Sequence, residues 1–286
     1  MKSTLSIFFR RLRTALLGDL ITSNKQLHDL QLLTYQQSLR NAAANPLNKS
    51  GEKYFSQFEE DGITLEILRR IEVKTGTFAE FGVGDGSENN TLILLASGYR
   101  GFWVGGEDLF FHCESARPRF AFLKRWIDRD NALIHLREGL DLIGSTELDV
   151  VSLDLDGNDI YVAEAILQNQ TKPKLFIVEY NAKFPPPIRW MIEYDKDHHW
   201  GGDDYFGASL SSFNDLFAKH DYTLICCNCS GVNAFFIRND FLHYFEDVPK
   251  DIGKLFFAPR YYLFKSYGHT PSARTIERML RSTGRI

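Results

Sequence analysis

Two rhythms of apolar and polar positions alternate along this chain. From Glu59 to Val73 apolar residues return at helical spacing, and Thr77 to Phe81 is then almost continuously apolar, as a strand covered on both faces must be. The alternation recurs. Gly101 to Gly106, Ala132 to Leu136, Val150 to Leu155 and Leu175 to Glu179 read as further strands, with helices expected over Ala116 to Ile127 and Ile160 to Leu167. Strands interleaved with helices predict a doubly wound, Rossmann-like α/β fold with a mostly parallel sheet. Tyr222 to Cys227 and Asn233 to Arg238 are two more strand patterns, separated by a turn containing Ser230 and Gly231 that is too short for a crossover. They should close the sheet as an antiparallel hairpin and bring it to seven strands.

The flanks follow other patterns. Leu5 to Leu17 carries apolar residues near helical spacing with only positive charges, the mark of an amphipathic helix. Such a helix could lie on an anionic membrane surface or pack on the domain or on a second copy of the chain. Asn41 to Gly51 resembles a linker, and the run from Phe256 to Phe264 is aromatic, with a basic helix-like stretch from Pro271 to Arg285. The expected division is therefore a helical extension and linker over 1–50, a catalytic domain over 51–240, and an aromatic and basic extension over 241–286 that packs on the domain or a partner.

Composition narrows the classes. The 286 residues are 44% hydrophobic and 14% aromatic, enough for one core of ordinary size, and the net charge of -4 provides no basic field for nucleic acid. No stretch approaches the ~20 apolar residues of a membrane span, and the N-terminus has no small-residue cleavage site, so a cytoplasmic location is expected, with peripheral membrane contact through the first helix as the exception. Of the four cysteines, Cys226, Cys227 and Cys229 lack paired C-x-x-C spacing and read as strand packing in a reducing compartment.

The candidate chemistry begins at Glu80-Phe81-Gly82-Val83-Gly84-Asp85-Gly86, where a strand acid runs into a glycine turn. Gly82, Gly84 and Gly86 let a backbone approach a ligand closely, and Ser87 to Ala96 reads as a capped helix whose free N–H groups point at that ligand. A dinucleotide turn needs its third glycine one residue later, which disfavours NAD. The pattern resembles motif I of the class I S-adenosylmethionine-dependent methyltransferases. That resemblance implies a methionine moiety packed over the glycine turn and an ammonium group held by Glu80. The closing hairpin agrees with it, because the methyltransferase fold has one and a dinucleotide Rossmann domain lacks it.

Ligands in such sheets sit beyond the carboxyl ends of the strands. Glu107, after the second strand, is the expected acceptor of the ribose hydroxyls, with Asp108 the alternative in an uncertain register. The densest acid cluster is Ser152-Leu153-Asp154-Leu155-Asp156-Gly157-Asn158-Asp159, where strand alternation would put Asp154 and Asp156 on one face. With Glu179 and Asn181 these acids would suit Mg²⁺, which could bind and acidify a substrate hydroxyl. Without metal, Asp156 could orient the substrate or act as base and Asp154 could contact cofactor, while an ordinary helix cap or turn explains part of the cluster equally well. Lys183 to Ser209 is a long insertion rich in aromatic, Asp and His residues, suited to a sugar ring, and His199 is the candidate general base, with His198 its alternative.

Four stretches add a narrower resemblance: Ser152 to Asp159, Val178 to Asn181 with Phe184-Pro185-Pro186, Tyr205 to Leu210, and Gly231 to Phe236. From about Ser56 to Arg238 the chain resembles a bacterial group related to the FkbM-like methyltransferases, which are associated with O-methylation of sugars and natural products. The resemblance implies O-methyl transfer from S-adenosylmethionine to a hydroxyl of a sugar, glycan or related natural product. The competing expectation is a non-catalytic cofactor- or glycan-binding module that scaffolds glycan assembly at a membrane.

Overall fold

The computed structural model describes residues 2–113, 116–168, 172–264 and 269–281, with side chains from Leu17 onward. Side chains expected on an amphipathic face over 5–16, and the basic stretch past Arg281, lie outside the described residues. The chain divides into two compact units, Met1–Ala42 and Ala43–Ile286. The first contains one helix, α1 (Lys2–Ala42). Leu17, Leu20, Ile21, Leu27, Leu30 and Leu33 are exposed while Leu32 and Leu39 are half-buried, and at ~100° per residue the exposed ones step around more than half of the circumference instead of keeping to one face. No described helix is long and apolar enough to cross a membrane.

The second unit is α/β. Its described strands are β1 (Thr77–Phe81), β2 (Arg100–Gly105), β3 (Phe120–Lys124), β4 (Val150–Leu153), β5 (Leu175–Glu179), β6 (Tyr222–Cys227) and β7 (Asn233–Arg238), in the sheet order β3-β2-β1-β4-β5-β7-β6. The first five run parallel, and β7 inserts antiparallel between β5 and β6. Such a sheet is compatible with a Rossmann-like fold. Strand order reverses between β1 and β4, so the loops leaving those two strands splay apart and open a crevice. The central strands β1 and β4 are buried throughout, and Phe217 stacks on Phe236 with ring centroids 4.0 Å apart. Burying each such aromatic contributes about 1.5–3 kcal/mol.

Two elements exchange the identities expected of them. The interval 116–127 contains the edge strand β3, and Ala132 opens the helix α4 (Ala132–Ile143). Phe120, Leu123 and Ile127 imitate helical spacing, but β3 pairs with β2 alone, so one side is left without the continuous apolar run of an inner strand. In α4 the buried residues Ala132, His135, Leu136, Gly139, Leu140 and Ile143 recur at intervals of three and one. A five-residue window is too short to reveal that period. The remaining helices are α2 (Glu60–Arg70), α3 (Leu92–Ala96), α5 (Asp159–Leu167), α6 (Leu210–Ala218), α7 (Ile252–Leu255) and α8 (Ala273–Arg281).

The expected boundaries also move. Residues 43–51 are no linker: Asn45 Nδ2 donates to Ile225 O at 2.7 Å and Asn48 Nδ2 to Cys227 O at 2.8 Å, which fastens the Pro46–Ser50 turn to β6. Residues past 240 belong to the same compact unit as the sheet.

Candidate functional site

The crevice at the carboxyl ends of β1, β4 and β5 is a cavity of about 940 Å³. Its lining includes Glu80, Gly82, Gly84, Asp154, Asp156, Glu179 and Asn181, so seven of the residues expected from sequence converge there.

The glycine turn builds one wall. Gly82 has φ +86°, and a Cβ there would meet Asp154 O at 1.6 Å, so only glycine lets the β1 loop lie against the β4 loop. Gly84, at φ +50°, faces open space, which leaves room for a ligand. Gly86 does not line the cavity: a Cβ there would meet Leu109, Phe111 and Trp103, so this glycine serves packing.

Glu80 is buried and already engaged. Its Oε1 accepts from Asn90 N–H at 2.9 Å, and its Oε2 accepts from Thr91 N–H at 3.0 Å and from the Thr91 hydroxyl at 2.5 Å. Burial pushes its carboxyl up, and these donors pull in the opposite direction. The helix expected from Ser87 consequently starts only at Leu92, because the N–H groups that would have faced a ligand are turned toward Glu80. The Asn89 side chain is a further donor to this carboxylate.

Across the cavity, one carboxylate oxygen each from Asp154, Asp156 and Glu179 lie within 4.8 Å of one another. Strand alternation is not what joins them. β4 ends at Leu153, and Asp156 adopts φ +54° in a turn held by Asp159, whose carboxylate accepts from Leu155 N–H at 2.7 Å and Gly157 N–H at 3.0 Å. Asp159 is thus the turn-forming member of the acid run, and burial pushes it up to about 6.

The cavity leaves Asp154 and Glu179 half-exposed, yet protein surrounds them closely enough for desolvation to push both well above the usual carboxylate range, and neighbouring acids push further. Glu179 Oε2 is buried without a hydrogen-bond partner. Asp156 is raised by burial and drawn down by His198. Three crowded carboxylates with an orphaned oxygen are a donor set that fits a hard divalent cation.

Asn181 holds the far loop: its Nδ2 donates to Asp204 O at 2.9 Å and Phe206 O at 3.0 Å. This fixes part of the insertion, which Asn158 and Tyr161 also tie to α5 through Asp195 O and Ile192 O. Trp200, Asp203 and Phe206 thereby reach the cavity.

Besides Gly86, other expected residues stay outside the cavity. Glu107 and Asp108 are exposed and outside the lining, and Asp108 pairs with Lys124 at 2.7 Å. β2 ends at Gly105, two residues too early for either acid to stay at the strand terminus. His199 is exposed, with its ring 4.7 Å from that of Trp126, away from the acids. His198 packs against Gly157 instead, where a Cβ would meet its ring at 2.3 Å, and its buried Nε2 has no partner.

Sequence reasoning missed the walls contributed from both flanks. Lys53, Gln57 and Phe58 enter from before α2, and Pro259, Tyr261 and Phe264 from the aromatic run. The concentration of rings in that run was the available signal. Burial, then the charge of Glu179, pushes the Tyr261 hydroxyl up.

Neither protein-family models nor curated proteins provide a match to this chain.

Proposed function

We propose that this protein is an S-adenosylmethionine-dependent O-methyltransferase of the FkbM-like kind, acting on a hydroxyl of a sugar, glycan or related natural product. The observation that carries the reading is the meeting of the Gly82–Gly84 turn with Asp154, Asp156 and Glu179 across one cavity at the switch point of the sheet. The order β3-β2-β1-β4-β5-β7-β6, with its inserted antiparallel strand, supports the methyltransferase form of the fold over a dinucleotide domain.

In this reading the glycine turn receives the methionine part of the cofactor, and Glu80 would accept from its ammonium group in exchange for one of its present donors. An acceptor hydroxyl lies against Asp156. The Asp156 carboxylate would accept the hydroxyl proton, and S-adenosylmethionine, when bound, would supply the methyl group that the acceptor oxygen takes. A carboxyl raised by burial is a stronger base than one in water. Because the sulfonium already activates the methyl group, holding the oxygen in line contributes more than basicity. Asp154, Asp156 and Glu179 would hold Mg²⁺, which when bound supplies charge that favours an ionised acceptor oxygen.

The test is transfer of labelled methyl from S-adenosylmethionine to a panel of sugars and glycans. Wild-type protein should label an acceptor, and Asp156→Asn should not while still binding cofactor. Equal labelling by both proteins would remove Asp156 from the chemistry. Cofactor binding with no label on any hydroxylated acceptor would favour the scaffold alternative.

A further inference from the structure

The C-terminal segment is built into the cavity. Tyr180 Oη donates to Phe257 O at 2.8 Å, Arg260 N–H donates to Ser230 O at 2.7 Å, and Gly231 packs so closely on the segment that a Cβ would meet Ala258 O at 2.4 Å. Phe264 then closes edge-on against Phe58 with centroids 6.3 Å apart. These ties hold Tyr261 on the cavity wall, where its ring is 47% exposed and only loosely approached by Phe58 at 6.3 Å. Trp200 lines the same cavity from the insertion and is 50% exposed, its indole N–H donating to Asp203 O at 2.7 Å. Two large, half-exposed aromatic residues line one cavity, which is how proteins receive a ring with apolar C–H faces and polar edges.

Charge narrows the occupant. Eight carboxylates and two lysines line the cavity. Lys183 is paired with Asp204, and Lys53 lies 3.7 Å from Glu88, so each lysine already faces a lining acid. Among the described residues, a phosphate or carboxylate entering here meets repulsion with no uncommitted lining cation to offset it, whereas a neutral hydroxyl finds acceptors and an ammonium finds attraction.

We propose that Trp200 and Tyr261 form an acceptor subsite that takes an uncharged or amino-bearing sugar ring in preference to a phosphorylated or carboxylated one. This rests on the O-methyltransferase reading for its reaction but not for its binding. Tyr261 and Trp200 act as specificity-determining residues, and the aromatic run of the C-terminal segment belongs to the site.

The experiment is saturation-transfer NMR on the full chain with S-adenosylhomocysteine present, using methyl glucoside, glucosamine, glucuronate and glucose 1-phosphate as probes. The first two should bind more tightly than the last two. Trp200→Ala and Tyr261→Ala should each weaken them about tenfold, and Tyr261→Phe, which keeps the ring, should stay within about threefold of wild type. Tighter binding of either anionic sugar, unchanged binding by both alanine variants, or no binding of any probe would overturn the subsite. Calorimetry with S-adenosylhomocysteine on the same samples separates the two claims. Intact cofactor binding without sugar binding defeats this inference alone, and sugar binding without cofactor binding defeats the methyltransferase reading. Alanine variants that lose the wild-type circular dichroism are replaced by Trp200→Leu and Tyr261→Leu, judged by the same tenfold criterion.

Discussion

Two groups of three acids, one buried and one on the open wall of the cavity, show how differently the same residue types can be used. Glu59, Glu60 and Asp61, at the start of α2, are met by several protein donors, with Asp61 Oδ1 alone left buried and unpartnered. Glu59 accepts from the Ser230 hydroxyl and N–H, Glu60 from Asn228, Asn233 and Phe58, and Asp61 Oδ2 from the N–H groups of Tyr54, Phe55 and Ser56. Asp154, Asp156 and Glu179 crowd together with little besides one another and leave Glu179 Oε2 orphaned. The first group ties the N-terminal loop to the β6–β7 turn. The second keeps unspent acceptor capacity facing a cavity, a costly arrangement in a folded protein unless something binds there.

The largest expected contrast lies in activity. Asp156→Asn should lower methyl transfer by about 100-fold or more, whereas Glu59→Gln should leave turnover of whatever protein folds within a few-fold. Comparable losses in both would dissolve the distinction. Next comes stability. Asp61→Ala strands three backbone N–H groups and should destabilise the protein by about 3 kcal/mol in denaturant unfolding.

Asp154→Asn should do the reverse in metal-free buffer. Removing one of the mutually repelling acids should raise Tm by about 2–4 °C, and added Mg²⁺ should stabilise wild-type protein but not the variant. A lower Tm for the variant without metal would mean that the second group is satisfied after all.

The smallest effect is on pH dependence. Burial, with the neighbouring charge of Glu59, pushes Glu60 up from 4.5 to about 7, so the folded protein keeps a proton that the unfolded chain releases first. The stability this provides is complete below about pH 4.5 and is lost as pH rises through 7, at up to about 1.4 kcal/mol per unit. Glu60→Gln should flatten that slope in thermal melts between pH 5 and 7.

The contrast also explains what could be read in advance. β1 and β5 were legible to the residue because buried parallel strands are apolar runs with sharp ends. Gly82 and Gly84 announced their turn because other residues do not fit it. The second acid group was legible because Asp154 and Asp156 are close in sequence, although a left-handed turn, not strand alternation, joins them. Glu59 and Glu60 passed as ordinary helix residues, since their donors at Asn228, Ser230 and Asn233 stand about 170 positions away. Long-range partnership has no local signature. Tyr261 stayed hidden for the same reason, and His199 was preferred to His198 because neighbours in a loop carry no periodicity to tell them apart.

The central claim is tested most directly by calorimetric titration of the full chain with S-adenosylmethionine, S-adenosylhomocysteine and NAD, each with and without Mg²⁺. Micromolar binding of the two sulfur nucleotides, absent for NAD, is the predicted result. Well-folded protein that binds neither of them, or that binds NAD, would contradict the account.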